Sequence, residues 1–276
     1  MRRGIYISSI LFAWTACGQG ADPDPLELMR KSAQADKANG EKESQYAYRE
    51  YKVTRQIDKN GKETDRETET WDVIGLEGSS YRRLVLKNDK ALPPKDERRE
   101  AERLQKETDR RKRESPEARR NRLFSLSYSF SFPYDKVADL DDLRYAGEET
   151  VAGRRAWVVE GYPKPGLRPA GDQEREALNY RMKTWIDQED YMCSRLELEV
   201  ITDHSRMQKG SVIRVENFKS NDGNDGNDGV WLARQAAIDY DIRFFKLMGV
   251  RGSILSTYSD YHKFQVDSRI IEAGEK

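Results

Sequence analysis

Histidine and cysteine are almost missing from this chain of 276 residues, which has two of each: His204 and His262, Cys17 and Cys193. Zinc-type sites need clustered histidine and cysteine ligands. The two histidines lie far apart with no HExxH spacing, so they are read as solvent-facing or hydrogen-bonded, and no metal is expected. Net charge is missing too, with 49 basic residues against 49 acidic ones. No overall field therefore draws the protein toward nucleic acid or an acidic substrate. There is no GxSxG elbow, no phosphate-cradling glycine loop and no dinucleotide fingerprint. Asp203-His204-Ser205 names the residue types of a hydrolytic triad, but consecutive side chains point different ways and cannot relay a proton. Cys193 reads as a small core residue. The expectation is that the chain has no catalytic residues and no cofactor.

Long apolar runs are also scarce. Ile5 to Ala16 is about a dozen residues, too short for an ordinary spanning helix. It follows Arg2 and Arg3 and precedes the small residues Ala16, Gly18 and Gly20, which is the order of an export signal. Residues 1–20 are therefore expected to be a signal peptide, cleaved near Gly18, and the protein to be exported to the periplasm or outer membrane. Lipidation at Cys17, against which Trp14 stands where an aliphatic residue is usual, and an uncleaved anchor are the alternatives. Without the leader, Cys193 is alone and no intramolecular disulfide is possible.

What the chain does have is charge, 36% of residues against about 25% in ordinary globular proteins, and aromatics, with 14 tyrosines and 5 tryptophans. Aromatics suit β-sheet. Pro25 to Ala38 has helical spacing at Leu26, Met29 and Ala33, with Asp24 before Pro25 as a cap, and Asn39-Gly40 is expected to end it. Strands follow. Tyr46 to Ile57 alternates, and Asp58-Lys-Asn60-Gly61 is a hairpin turn in which Asn-Gly supplies positive φ. Thr64 to Ile74, Tyr81 to Leu86, Ser125 to Phe132, Leu143 to Val151 and Arg154 to Tyr162 continue the pattern. The clearest pair is Arg181 to Ile186 and Arg195 to Val200, joined by the acidic turn Asp187 to Asp190. In the second of these, Leu196, Leu198 and Val200 alternate with Glu197 and Glu199, as in a half-buried strand. Val212 to Phe218, Trp231 to Tyr240 and Ser253 to Phe264 complete about ten or eleven strands. No βαβ rhythm appears, so the expected fold is mainly β: a curved antiparallel sheet, an open half-barrel with a few helices.

Two stretches break the plan. Residues 94–122 form a charged helical insertion with few apolar positions, supported by charge pairs three and four apart. Its basic end, Arg110 to Arg122, is a solvated lid or strut, or a contact for an anionic membrane surface or envelope proteins. Asn221 to Gly229 repeats Asn-Asp-Gly three times. The third calcium-ligand position falls on Gly226 and no distal Glu follows, so the repeat is read as a flexible hairpin loop.

Trp185-Ile-Asp187 with Asp190-Tyr191 and Arg195-Leu-Glu-Leu-Glu199 resembles the central hairpin of the bacterial lipoprotein-localisation (LolA/LolB-like) superfamily and its outer-membrane lipoprotein-sorting relatives. Val151-Ala-Gly153-Arg-Arg-Ala-Trp157-Val-Val, Gly229-Val-Trp231-Leu and Tyr258-Ser-Asp260-Tyr261-His-Lys-Phe264 do so as well. The resemblance spans roughly Tyr46 to Phe264. It implies a half-barrel whose helix-covered concave face holds acyl chains or other hydrophobic ligands, and a periplasmic, non-enzymatic protein. The domain plan is a leader (1–20), an N-terminal helix and linker (21–45), and one β domain (46–276). The function expected is a carrier for a lipid or lipoprotein acyl chain. The alternative is an envelope sensor or protein-interaction module with a packed core. Tryptophan offers a broad apolar wall with one polar edge. The cavity lining is therefore nominated as Trp71, Leu84, Trp157, Val159, Trp185, Leu196, Leu198 and Trp231.

Overall fold

The computed structural model describes residues 22–119, 139–204, 207–220, 229–244 and 248–263. The leader with Cys17, the end of the insertion at 120–122, the Ser125–Phe132 strand and the Asn-Asp-Gly repeat up to 228 lie outside the described residues.

Helix α1 (Pro25–Glu43) leads into β1 (Tyr46–Ile57), β2 (Glu63–Leu76), β3 (Ser79–Lys87) and the short β4 (Lys90–Ala91). Helix α2 (Pro94–Lys112) follows, then β5 (Asp141–Val151), β6 (Arg154–Pro163), helix α3 (Asp172–Ala177), β7 (Tyr180–Asp187), β8 (Cys193–Val200), β9 (Val212–Lys219), β10 (Trp231–Phe244) and β11 (Met248–Lys263). The eleven strands form one antiparallel sheet in the order β4-β3-β2-β1-β11-β10-β9-β8-β7-β6-β5. The chain starts mid-sheet, runs to one edge, restarts at the other edge and returns, so that β11 closes onto β1 from Tyr46↔Lys263 to Ile57↔Arg251. β4 and β5 end the order without pairing to each other, which makes an open half-barrel.

Local chemistry sets the turns. Asp58 accepts hydrogen bonds from the Asn60 and Lys62 amides at 2.8 and 2.9 Å, and Gly61 takes φ +83°, a conformation that costs glycine little. Helix α1 begins as expected, with Asp24 accepting from the Leu26 amide at 3.0 Å. It does not stop at Asn39-Gly40 but continues to Glu43. Gly40 keeps helical backbone, and the Asn39 side chain turns outward to another strand.

Helix α2 guards an edge. β4 pairs with β3 only at Leu86↔Ala91 and Lys87↔Lys90, which leaves most of β3 without a strand partner on that side. Side chains of α2 meet the backbone of β3 and of the last residue of β2 instead. Glu100 accepts from the Leu84 amide, Arg103 donates to the Arg82 carbonyl, and Arg111 donates to the carbonyls of Leu76, Ser79 and Ser80. An open strand edge is an aggregation template, and covering it is a standard remedy. The charged insertion is therefore a clasp on the sheet edge. Arg110 and Arg111 are engaged within the molecule, by Glu107 and Glu114 and by that backbone. Arg111→Ala is expected to lower stability by about 2–3 kcal/mol, because charge-assisted bonds to buried carbonyls are lost together. Urea unfolding midpoints check this, and an unchanged midpoint would remove α2 from the account of β3.

Candidate binding face

The face of the sheet that carries α1 can be followed across the strand register. One row runs Val159, Thr184, Leu196, Val215, Ala236, Ser256, Lys52 and Glu69. The next runs Gly161, Met182, Leu198, Ile213, Ile238, Ile254, Thr54 and Glu67. Both are largely apolar from β6 to β11 and turn polar where β11 meets β1. Lys52 and Glu69 form an ion pair there.

The two halves differ in cover. Over β6 to β9, α1 presses Leu28 and Met29 onto Val159, Met182, Ile186, Leu196 and Leu198. Met29, Val159 and Ile186 are fully buried, so this part is packed core. Ile213, Val215, Ile238, Ile254 and Tyr258 are only half-buried.

The polar half is built from β1, β11 and the second half of α1. Glu50 is buried, accepts from Arg82 at 2.6 Å and from Ser256 at 2.9 Å, and pairs across the ladder with Tyr258. Tyr48 packs edge-on against Tyr258 (5.8 Å between ring centres) and tilted against Tyr261 (5.1 Å). Helix α1 adds Asp36 and Glu43, seven residues apart and so on one side of the helix. Burial raises the Asp36 pKa. Burial, then the charge of Asp36, pushes Glu43 up to about 7. Burial, then the charge of Glu50, pushes Tyr258 up to about 12. Between the acids, Asn39 donates to the Trp231 carbonyl at 2.8 Å and accepts from the Trp231 amide at 2.9 Å, fixing α1 to the start of β10.

The nominated residues separate into groups. Val159, Leu196 and Leu198 lie in the packed cluster under α1, and Trp157 packs at its border against Tyr191. Trp71 and Leu84 pair with each other on the same face beside α2, where Arg82 stacks on the Trp71 ring at 4.6 Å. Trp185 is on the opposite face and so cannot line this one. It pairs with Val158 and Arg195, packs with Val151, Ala156 and Val158, and donates its indole N–H to Glu149 at 2.8 Å. Thr184 to Asp187 are all buried, so β7 is covered on both sides there and the period-two signal disappears. Trp231 is buried at the end of the sheet, where its indole N–H donates to Asp190 at 3.0 Å and Arg154 lies over its ring. Asp36, Glu43, Glu50 and Lys52 were not foreseen. The seven-residue spacing of the two acids on a helix flanked by strands was the available signal.

Two grooves lie beside α2. One of about 600 Å³ lies between its start and β3–β4, lined by Leu84, Leu92, Arg99 and Glu100 among others. The other is a shallow, open surface along Glu102, Gln105, Lys106, Asp109 and Arg110 of α2 and the two residues after it. Among the described residues no cluster of three or more His, Cys, Asp or Glu side chains is arranged to hold a metal, and no helix is long and apolar enough to cross a membrane.

No family model matches the chain and no curated protein matches it. Among solved structures it is similar to a protein described as an outer membrane lipoprotein-sorting protein domain from Vibrio parahaemolyticus. That likeness has TM-score 0.41 and 13% identity, covering 89% of this chain and 94% of that one. A LolA superfamily protein from Nitrosomonas europaea gives TM-score 0.33 and 11% identity, covering 89% and 96%. The MucA/MucB complex from Pseudomonas aeruginosa gives TM-score 0.27 and 13% identity, covering 86% and 94%. The first two carry the lipoprotein-sorting and LolA descriptions that the sequence motifs resemble. At such low TM-scores the fold of this chain rests on its own strand pairing, and nothing those proteins do is transferred from them.

Proposed function

We propose that the protein is an exported, non-catalytic carrier that binds an amphiphile, a lipid or a lipoprotein acyl chain, on the α1 face. One observation supports this above the others: the cross-sheet rows, largely apolar from β6 to β11, turn polar at the β11–β1 junction, where Lys52 and Thr54 lead on to Glu69 and Glu67. A tail lying along Ile213, Ile238 and Ile254 would place its polar head beside Lys52, Glu69 and Tyr258. Apolar surface binds the tail by removal from water, and a few placed polar groups orient the head. A second reading, a protein-interaction module, is favoured by the dense packing of Met29, Val159, Met182 and Ile186 beneath α1.

Titration with a fluorescent fatty acid separates the two. The carrier binds it saturably, and Ile254→Asp, which sets a charge in the apolar row, weakens binding at least about tenfold. Absence of binding by the unaltered protein, or unchanged affinity in a folded Ile254→Asp variant, would favour the module.

A further inference from the structure

We propose that α1 is a proton-latched cover: its second half seats against β1 and β11 while Asp36 and Glu43 are neutral, and loosens as they ionise. The geometry carries this. Both residues are half-buried on the stripe of α1 that Ser32 and Asn39 share, where Asn39 bonds to Trp231, and among the described residues neither carboxylate makes a hydrogen bond or ion pair. Among the described residues the groups facing Glu43 supply no free cation. From β1 come Tyr48 and Glu50, and from β11 come Tyr258 and Tyr261. Arg82 of β3, the nearest basic group in this set, is engaged by Glu50 at 2.6 Å. Glu43 and Asp36 also act on each other. Ionising Glu43 therefore places a charge among aromatic rings and like charges, and ionising Asp36 adds a second charge beside it, which is unfavourable. What holds this half of the helix down is the Asn39 clasp on Trp231.

The sign follows from linkage. Burial raises both acids, so seated α1 binds more protons than loosened α1. Seating is strongest below the ordinary carboxylate range. It weakens as pH rises from about 4.5 to about 7, the ordinary and seated values of Glu43, and changes little above that. A shift of that size corresponds to up to about 300-fold in the seating equilibrium. The first half of α1, with Leu28 and Met29 in the core, is outside this effect. Loosening the second half uncovers the tyrosines beside the half-buried apolar row, so the inference concerns access to that face and stands whatever occupies it.

Hydrogen exchange measures it, with rates corrected for the intrinsic pH dependence of amides. A helical segment as short as residues 33–43 is marginal without its packing, so once loosened it exchanges. Protection of residues 33–43 is expected to fall at least tenfold from pH 5 to pH 8. The isosteric double change Asp36→Asn, Glu43→Gln is expected to flatten that dependence, and Glu43→Gln alone to reduce it should the double variant not fold. Residues 180–200 of β7 and β8 serve as the control and should keep their protection at both values. A flat profile in the unaltered protein, an undiminished slope in the variants, or equal loss in the control segment would each overturn the proposal.

Discussion

Replacing Arg154 by alanine is expected to cost about 3–5 kcal/mol of stability, the largest effect of any single change considered, because it strands a buried carboxylate. Asp187 is 1% exposed. Arg154 grips it with two bonds, at 2.7 and 2.8 Å, and the amides of Glu189 and Asp190 donate to it at 3.0 and 2.9 Å. The same guanidinium reaches Glu189 and Asp190, and Asp190 in turn accepts from Lys219 and Trp231. One arginine from the start of β6 thus fixes the β7–β8 turn and the first residue of β10. The pH dependence carries a sign. Burial acts to raise the Asp187 pKa, but the bonds from Arg154 and the two amides outweigh it and leave the carboxyl below its ordinary 3.8. Its contribution is therefore present above that value and lost as pH falls through the lower folded one. Urea unfolding of the two proteins should show the widest gap at neutral pH, and the gap should narrow as pH falls and Asp187 takes up its proton. Arg154→Lys should fall between them, since an ammonium keeps the charge but not the fork.

Leu198→Ala is expected to cost about 2–5 kcal/mol, the range for removing a packed core leucine. Leu198 is 7% exposed, pairs with Met182 and Ile213, and belongs to the cluster that Leu28 and Met29 of α1 close. Ile254→Ala, two strands beyond Ile213 in the same row and only half-buried, should cost clearly less. If the row has two functions, the two changes separate them. Leu198→Ala lowers the thermal midpoint more, and Ile254→Ala weakens fatty-acid binding more. Equal stability losses at both positions would mean that the packed core continues to β11 and leaves no room for a tail.

Much of this was legible beforehand because alternation and turn residues act locally. Asn60-Gly61, Ala152-Gly153 and the Asp187–Asp190 turn each stand between segments whose side chains alternate, and β1, β6 and β8 lie within a residue or two of where that pattern puts them. Trp185 was nominated for the concave face because tryptophan makes a broad apolar wall, yet it alternates with Met182, Thr184 and Ile186 and so shares the other side with Arg181 and Lys183. The end of α1 was misplaced because Asn39-Gly40 is a stop signal only when Asn caps its own helix, and here its side chain clasps β10. In Pro94–Lys112 the pattern showed a helix too polar to bury, but not that its arginines serve the carbonyls of β3, a tertiary contact with no local trace. The acid–tyrosine half of the binding face was hidden for the same reason. Asp36 and Glu43 look like any solvated helix residues until β1 and β11 are brought against them.

The central claim is that the α1 face holds an amphiphile, and native mass spectrometry of protein purified from the membrane-envelope fraction of its own cells tests it most directly. The account predicts a mature chain that retains a dissociable lipid or acylated species at about one per chain, lost in a folded Ile254→Asp variant. A clean apo mass in both, with a second protein retained instead, would contradict it.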